Sequence, residues 1–183
     1  MLNFCSFSKF IGAMGEAIIG EYTGTRLKML PSRIEAFGRF KKRFPNGKVL
    51  APARTFGGYG SNPYVGYDSS KYPFLYKGPL PKDMSATARI VVIGEEAWTL
   101  DVLKKHRKIE KGDLVITWEP GQNSALDSRS ISKGKDVGNV VVQRKTSDGL
   151  VDEVHDVTFA FVFKAFKPNG TVYKSWPPKN AGS

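Results

Sequence analysis

Ser124, His155 and the carboxylates Asp127, Asp136 and Asp156 are residue types able to carry hydrolytic chemistry. A serine nucleophile needs a base within hydrogen-bond reach and a third group to orient that base. Ser124 lacks a G-x-S-x-G setting, so His155 and an acid such as Asp156 or Asp136 would have to converge on it through the fold. His155 and Asp156 are neighbours and would point to opposite faces of a strand, so they do not form a dyad with each other. Asp127, Asp136 and Asp156 could assist hydrolysis through a metal, but no ligand spacing supports that.

The densest polar stretch is TWEPGQNSALDSRS, Thr117–Ser130. If GDLVITW is a strand, Glu119 is its exit and Pro120-Gly121 its turn. Gln122, Asn123 and Ser124 are then the first groups beyond the sheet, where ligand contacts concentrate. Asn123 or Ser124 can also cap a short helix over SALDSRSI, and Asp127 can cap a following turn, roles that need no ligand. The ligand-binding candidates are therefore Glu119, Gln122, Asn123, Ser124, Asp127 and His155. A strand-exit turn with caps is the expected local structure.

The 183 residues carry a net charge of +11, with ten Lys/Arg against three Asp/Glu in residues 1–60. Such a face suits phosphates, anionic headgroups or an acidic protein. Its centre is SRIEAFGRFKKRFPNG. Ser32 and Glu35 have capping-box spacing, Ile34, Phe37, Phe40 and Phe44 follow a helical stripe, and Arg39, Lys41, Lys42 and Arg43 form a basic surface. The expectation is an ordinary surface helix with its aromatic stripe in the core.

Cys5 is the single cysteine and His106 and His155 the only histidines, so no internal disulfide forms and neither a metal site nor a cofactor is expected. Met1–Met14 is apolar but interrupted by Lys9 and has no basic leader, so it reads poorly as a signal peptide and is too short to span a bilayer. No transmembrane segment is expected.

The remaining pattern is mostly strands. GEAIIGEYTGTRLKMLP suits one or two short strands about a tight turn, and ARIVVIGEEAWTL gives a strand and turn. A short helix capped by Thr99 follows, with Leu100 and Leu103 inward. GDLVITW and VGNVVVQRK are strands, DEVHDVTFAFVFKAF is the longest strand candidate, and TVYKSW suits a last hairpin strand. The stretch from Ala51 to Pro81 is rich in Gly, Pro and Tyr and is expected to pack through its aromatics. The fold class is α+β, mostly antiparallel β-sheet with a few short helices. The expected organisation is a divergent apolar segment over 1–14, one β-rich domain over 15–176 and a flexible tail over 177–183.

Seven blocks appear in order: GEAIIGEYTGTRLKMLP, YGSNPYVGYDSS, PFLYKGP, GEEAWTL, GDLVITWEPGQNSALD, DVGNVVVQ and HDVTFAFVFKAF. From Gly15 to about Tyr173 the chain resembles the C-terminal part of domain-of-unknown-function family 3179. The resemblance implies no established activity. Members often carry an export signal, which implies an extracytoplasmic setting. An earlier family segment has the form T-Y-C-P-L-C-N-S-A-L, which Thr117–Leu126 resembles as a diverged second copy, with Glu119 and Gln122 where the cysteines stand. Thiol chemistry is therefore not carried over to this chain. The leading functional expectation is a non-catalytic module that binds a partner protein or sits in an assembly. The alternatives are a small-ligand or hydrolase-like pocket at Gln122–Asp127 with His155, and binding of nucleic acid or an anionic membrane surface by the basic first third.

Overall fold

The computed structural model describes residues 15–51 and 62–178, so expectations on the first fourteen residues, on 52–61 and on the last five lie outside the described residues. The chain divides into two units, Met1–Pro31 and Ser32–Ser183. In the first, the anticipated strands reduce to a single bridge, Glu16↔Arg26, around a turn in which Ala17 N–H donates to Thr25 O at 2.9 Å and Gly24 N–H to Ala17 O at 2.8 Å. The glycines and threonines at its centre favour turning over ladder growth.

The second unit holds helices α1 (Phe37–Arg43), α2 (Leu100–His106) and α3 (Ala160–Phe166), with strands β1 (Arg89–Ile93), β2 (Glu96–Thr99), β3 (Lys108–Lys111), β4 (Leu114–Glu119), β5 (Asn139–Thr146), β6 (Gly149–Asp152), β7 (Asp156–Phe159) and β8 (Thr171–Tyr173). They form two four-stranded sheets, β7-β1-β2-β8 and β3-β4-β5-β6. Every pairing is antiparallel except β2 with β8. The fold is α+β with β predominant. TVYKSW thus contributes a parallel partner to β2, not a hairpin strand, because α3 intervenes and carries the chain across.

Strand alternation builds the cores. Val91 and its cross-strand partner Trp98 point into a cluster that also takes Leu103 of α2, Ile116 and Trp118 of β4 and Val142 of β5. Their neighbours Ile90, Val92 and Ala97 face the other way, where Ala160 and Phe163 of α3 cover them. The GDLVITW and VGNVVVQRK strands form as read, and Thr99 Oγ1 accepts from Val102 N at 3.4 Å to cap α2. Among the described residues no helix is long and apolar enough to cross a membrane.

The DEVHDVTFAFVFKAF run departs from its expected single strand. It pairs with β1 only to Phe159 and then becomes α3. Ala160 N–H donates to Ala88 O at 2.9 Å and Phe161 N–H to Ala86 O at 3.0 Å. The chain then coils so that Ala160 and Phe163, three apart, share the buried face. An apolar run with every second residue aromatic satisfies both periods, and packing on β1 and β2 selects the helix.

The N-terminal helix is also shorter than its pattern suggests. α1 starts after Ala36 without a side-chain cap, so the Ser32/Glu35 capping box does not form. Glu35 instead accepts from Arg43 Nη2 at 2.7 Å. Nor does the aromatic stripe enter the core, because α1 has no buried residue.

Candidate functional site

The Thr117–Ser130 loop leaves β4 through Pro120-Gly121 and closes on Asp136. That carboxylate accepts from the N–H groups of Gly121, Gln122 and Gly138 at 2.8, 3.1 and 2.8 Å. Burial alone would raise the Asp136 carboxyl, but these donors, with Lys104 nearby, hold it below the usual carboxylate range. Gly138 has φ +73° and packs so closely on the Trp118 indole that a Cβ would lie 2.1 Å from its ring, leaving no room for a side chain.

The sequence candidates go to different places. Glu119 pairs with Arg39 of α1 at 2.5 Å. With its amide turned so that the nitrogen faces these carbonyls, Gln122 donates to Ile34 O at 3.0 Å and to Gly138 O at 3.2 Å. Asn123 Nδ2 donates to Ser132 O at 2.9 Å, and Asp127 accepts from Lys135 N at 2.8 Å. His155 Nδ1 lies 2.9 Å from Glu153 O. Five of the six are thus engaged with nearby backbone or with α1 and do not surround one pocket. No helix forms over SALDSRSI beyond a single 3-10 turn at Ile131–Lys133.

Ser124 is different. It is 1% exposed, and its hydroxyl donates to Asp68 Oδ2 while accepting from Leu126 N at 3.0 Å and Arg89 Nη2 at 3.1 Å. The same Nη2 reaches Asp68 Oδ1 at 2.9 Å. Thr87, also buried, donates to Ser70 O at 2.9 Å, and Lys135 Nζ stands 3.8 Å from Asp68 Oδ2. Three distant segments thus meet in one buried polar network. With its oxygen shared among three partners and no imidazole beside it, Ser124 is not arranged as a nucleophile.

This network lies at the base of a cleft of about 660 Å³, walled by Arg89, Lys104, Trp118, Lys135 and Asp101. Lys104 lies 5.9 Å over the Trp118 ring. Among the described residues no three His, Cys, Asp or Glu side chains cluster to hold a metal.

The family model described as Protein of unknown function (DUF3179) matches residues 6–170. The chain belongs to that family. Within this DUF3179 chain the match begins before Gly15, where the seven recognisable blocks start, and takes in strands β1 to β7, ending just before β8. No curated protein and no solved structure matches it.

Sequence reasoning misses Asp68, Thr87 and Arg89 as site residues. Asp68 sits in the tyrosine-rich stretch and Arg89 opens a strand marked only by its apolar residues, so neither carries a local signal. It also misses Asn139, buried at the start of β5. Asn139 Oδ1 accepts from Ala36 N at 2.9 Å and its amide donates to Glu119 O and Pro120 O at 3.4 and 3.1 Å. Together with Glu119, Gln122 and the Arg33–Asp152 ion pair, it fixes the α1 segment to the ends of β4, β5 and β6.

Proposed function

We propose that this chain is a non-catalytic binding module that docks a partner protein on the face carried by α1. The supporting observation is that α1 is amphipathic yet has no buried residue. Ile34, Phe37 and Phe44 are 63, 62 and 50% exposed. Phe40 stacks on Phe37 and lies tilted against Phe44, with ring centroids 6.3 and 5.7 Å away. A recess of about 560 Å³ lies beside them, lined by Phe40, Arg43, Phe44 and Pro45.

A helix normally buries its apolar stripe, and most helical stability comes from that burial. This one is held in place by polar bonds at its rear, which leaves its aromatics presented outward. Aromatic and arginine side chains around a recess are the residue types that dominate protein interfaces. Nucleic-acid binding is less well supported. Arg39 and Arg43 are spent on Glu119 and Glu35, which leaves Lys41 and Lys42 as the unpaired cations of the helix among the described residues.

The partner fitting this face has an apolar projection for the recess and acidic groups for the two lysines. The test is purification of the chain from its source at native abundance, beside a Phe37→Ser, Phe44→Ser variant. A stoichiometric companion held by wild type and lost by a variant that is still folded supports the reading. A wild-type chain migrating alone at 20.2 kDa, or a companion kept by the variant, overturns it.

A further inference from the structure

We propose that a recess between α3, β8 and the 79–84 segment binds a dissolved carboxylate with a short apolar tail, of the class of medium-chain fatty acids. The recess holds about 430 Å³, within the range of small-molecule sites. Its place follows from how the second core is closed. Ile90, Val92 and Ala97 of β1 and β2 are covered by Ala160 and Phe163 of α3. That helix is only 7 residues long, and beside β8 it leaves the flank of the core to Met84 and Val172, which stay half-buried. Leu80 and Pro81 line the same space and are half-buried as well. Incompletely covered apolar surface in a concave site is what a hydrocarbon tail fills, because its own burial and that of the walls both remove apolar area from water.

The rim selects the head group. Lys82, Lys164, Lys167 and Lys174 line the recess against one carboxylate, Asp83. Lys174 pairs with Asp83, and Lys167 pairs with Glu95, which is not part of the lining. Lys82 and Lys164 make no ion pair among the described residues. Lys164 Nζ donates to Pro168 O at 2.6 Å, a neutral acceptor that leaves its charge uncancelled and its other N–H groups open. Two ammonium groups therefore remain over an apolar floor after every lining carboxylate is counted. A cation is repelled there, a neutral hydrocarbon leaves the lysines unanswered, and a small inorganic anion leaves the apolar walls in water. A carboxylate with an apolar tail answers both.

The test is an amide NMR titration of the full chain with butanoate, hexanoate and octanoate, below micelle-forming concentrations and at an ionic strength fixed with chloride. Octanoate should bind saturably with Kd of about 1 mM or tighter, and the shifts should centre on residues 79–84, α3 and β8. Each methylene buried should tighten binding about three- to fourfold. Octanol keeps the tail and loses the charge, and the Lys82→Gln, Lys164→Gln double variant removes the two free ammonium groups at exposed positions. Each change should weaken binding about three- to tenfold. Lys41→Gln should leave it unchanged. No saturable shift, shifts centred on other residues, octanol binding as tightly as octanoate, or wild-type affinity in the K82Q, K164Q variant overturns the proposal. Because Phe37 and Phe44 line no part of this recess, the F37S, F44S variant should bind octanoate as wild type does, so this site and the α1 face stand or fall separately.

Discussion

Arg89 Nη2 lies 2.9 Å from Asp68 Oδ1, in a pair whose side chains are 19 and 1% exposed. Lone removal of the cation strands a buried carboxylate. Arg89→Met should therefore cost about 3–5 kcal/mol at neutral pH, while the Asp68→Asn, Arg89→Met double variant recovers part of that loss. Urea denaturation of the four proteins in the cycle measures the coupling. Strictly additive losses would show that the two groups act independently.

Asn139 joins three strangers: the Ala36 N–H at the start of α1 and the carbonyls of Glu119 and Pro120 at the end of β4. Asn139→Ala leaves those groups without their partner and should cost about 1–3 kcal/mol. The loss should be local. Amide exchange across residues 36–44 should accelerate far more than exchange in β1 or β4, because α1 has no buried side chain to hold it once the tether is cut. Uniform acceleration through both sheets would contradict that.

How much of this is legible in the sequence follows from what local pattern encodes. Residues 114–118 form an apolar run next to a Pro-Gly turn, and Thr99 stands before a helical stripe, so β4 and the α2 cap can be read directly. The DVTFAFVF run cannot, since period two and helical spacing coincide in it and the choice is made by Ile90, Val92 and Ala97 in other strands. The same limit hides the buried network. Ser124 stands out for its polar neighbours, but its partners Asp68 and Arg89 are brought to it by the β1 ladder and by Gly66 and Asp68 N–H bonds to Asp127 O and Leu126 O. Glu119 and Gln122 read as loop groups, and their contacts with Arg39 and Ile34 depend on an α1 that packs by polar bonds, which no hydrophobic period announces.

Gly138 is the tightest point of the loop. Its φ of +73°, and the 2.1 Å that would separate an added methyl from Trp118, predict that Gly138→Ala destabilises by about 1–3 kcal/mol or more, through strain at φ and overpacking together. Trp118 Nε1 donates to Val137 O at 2.9 Å, so the indole should shift and the tryptophan emission change with it. Gly149→Ala is a useful contrast, because φ there is +113° but nothing lies within 4 Å. It should cost less and leave the emission alone.

Acid should weaken this fold by two separable routes. Glu110 lies at the surface and is drawn down to about 2 by hydrogen bonds from Lys108 and Lys145 and by their charges. Asp136 is lowered against the opposing effect of its burial, by backbone N–H donors. A carboxyl held below its unfolded value contributes stability that is fully present above that value and lost as pH falls through the folded one. The urea midpoint should therefore be flat above about pH 5 and fall as the pH drops through the range of about 4 to 2. The two groups should part company in salt. At 1 M the screening length is about 3 Å, so the Glu110 NMR titration midpoint should climb toward its ordinary 4.5, while Asp136, held by hydrogen bonds to fixed backbone, should hardly move. An Asp136 midpoint that rises with salt as steeply as that of Glu110 would mean that Lys104, not the turn N–H groups, sets its ionisation.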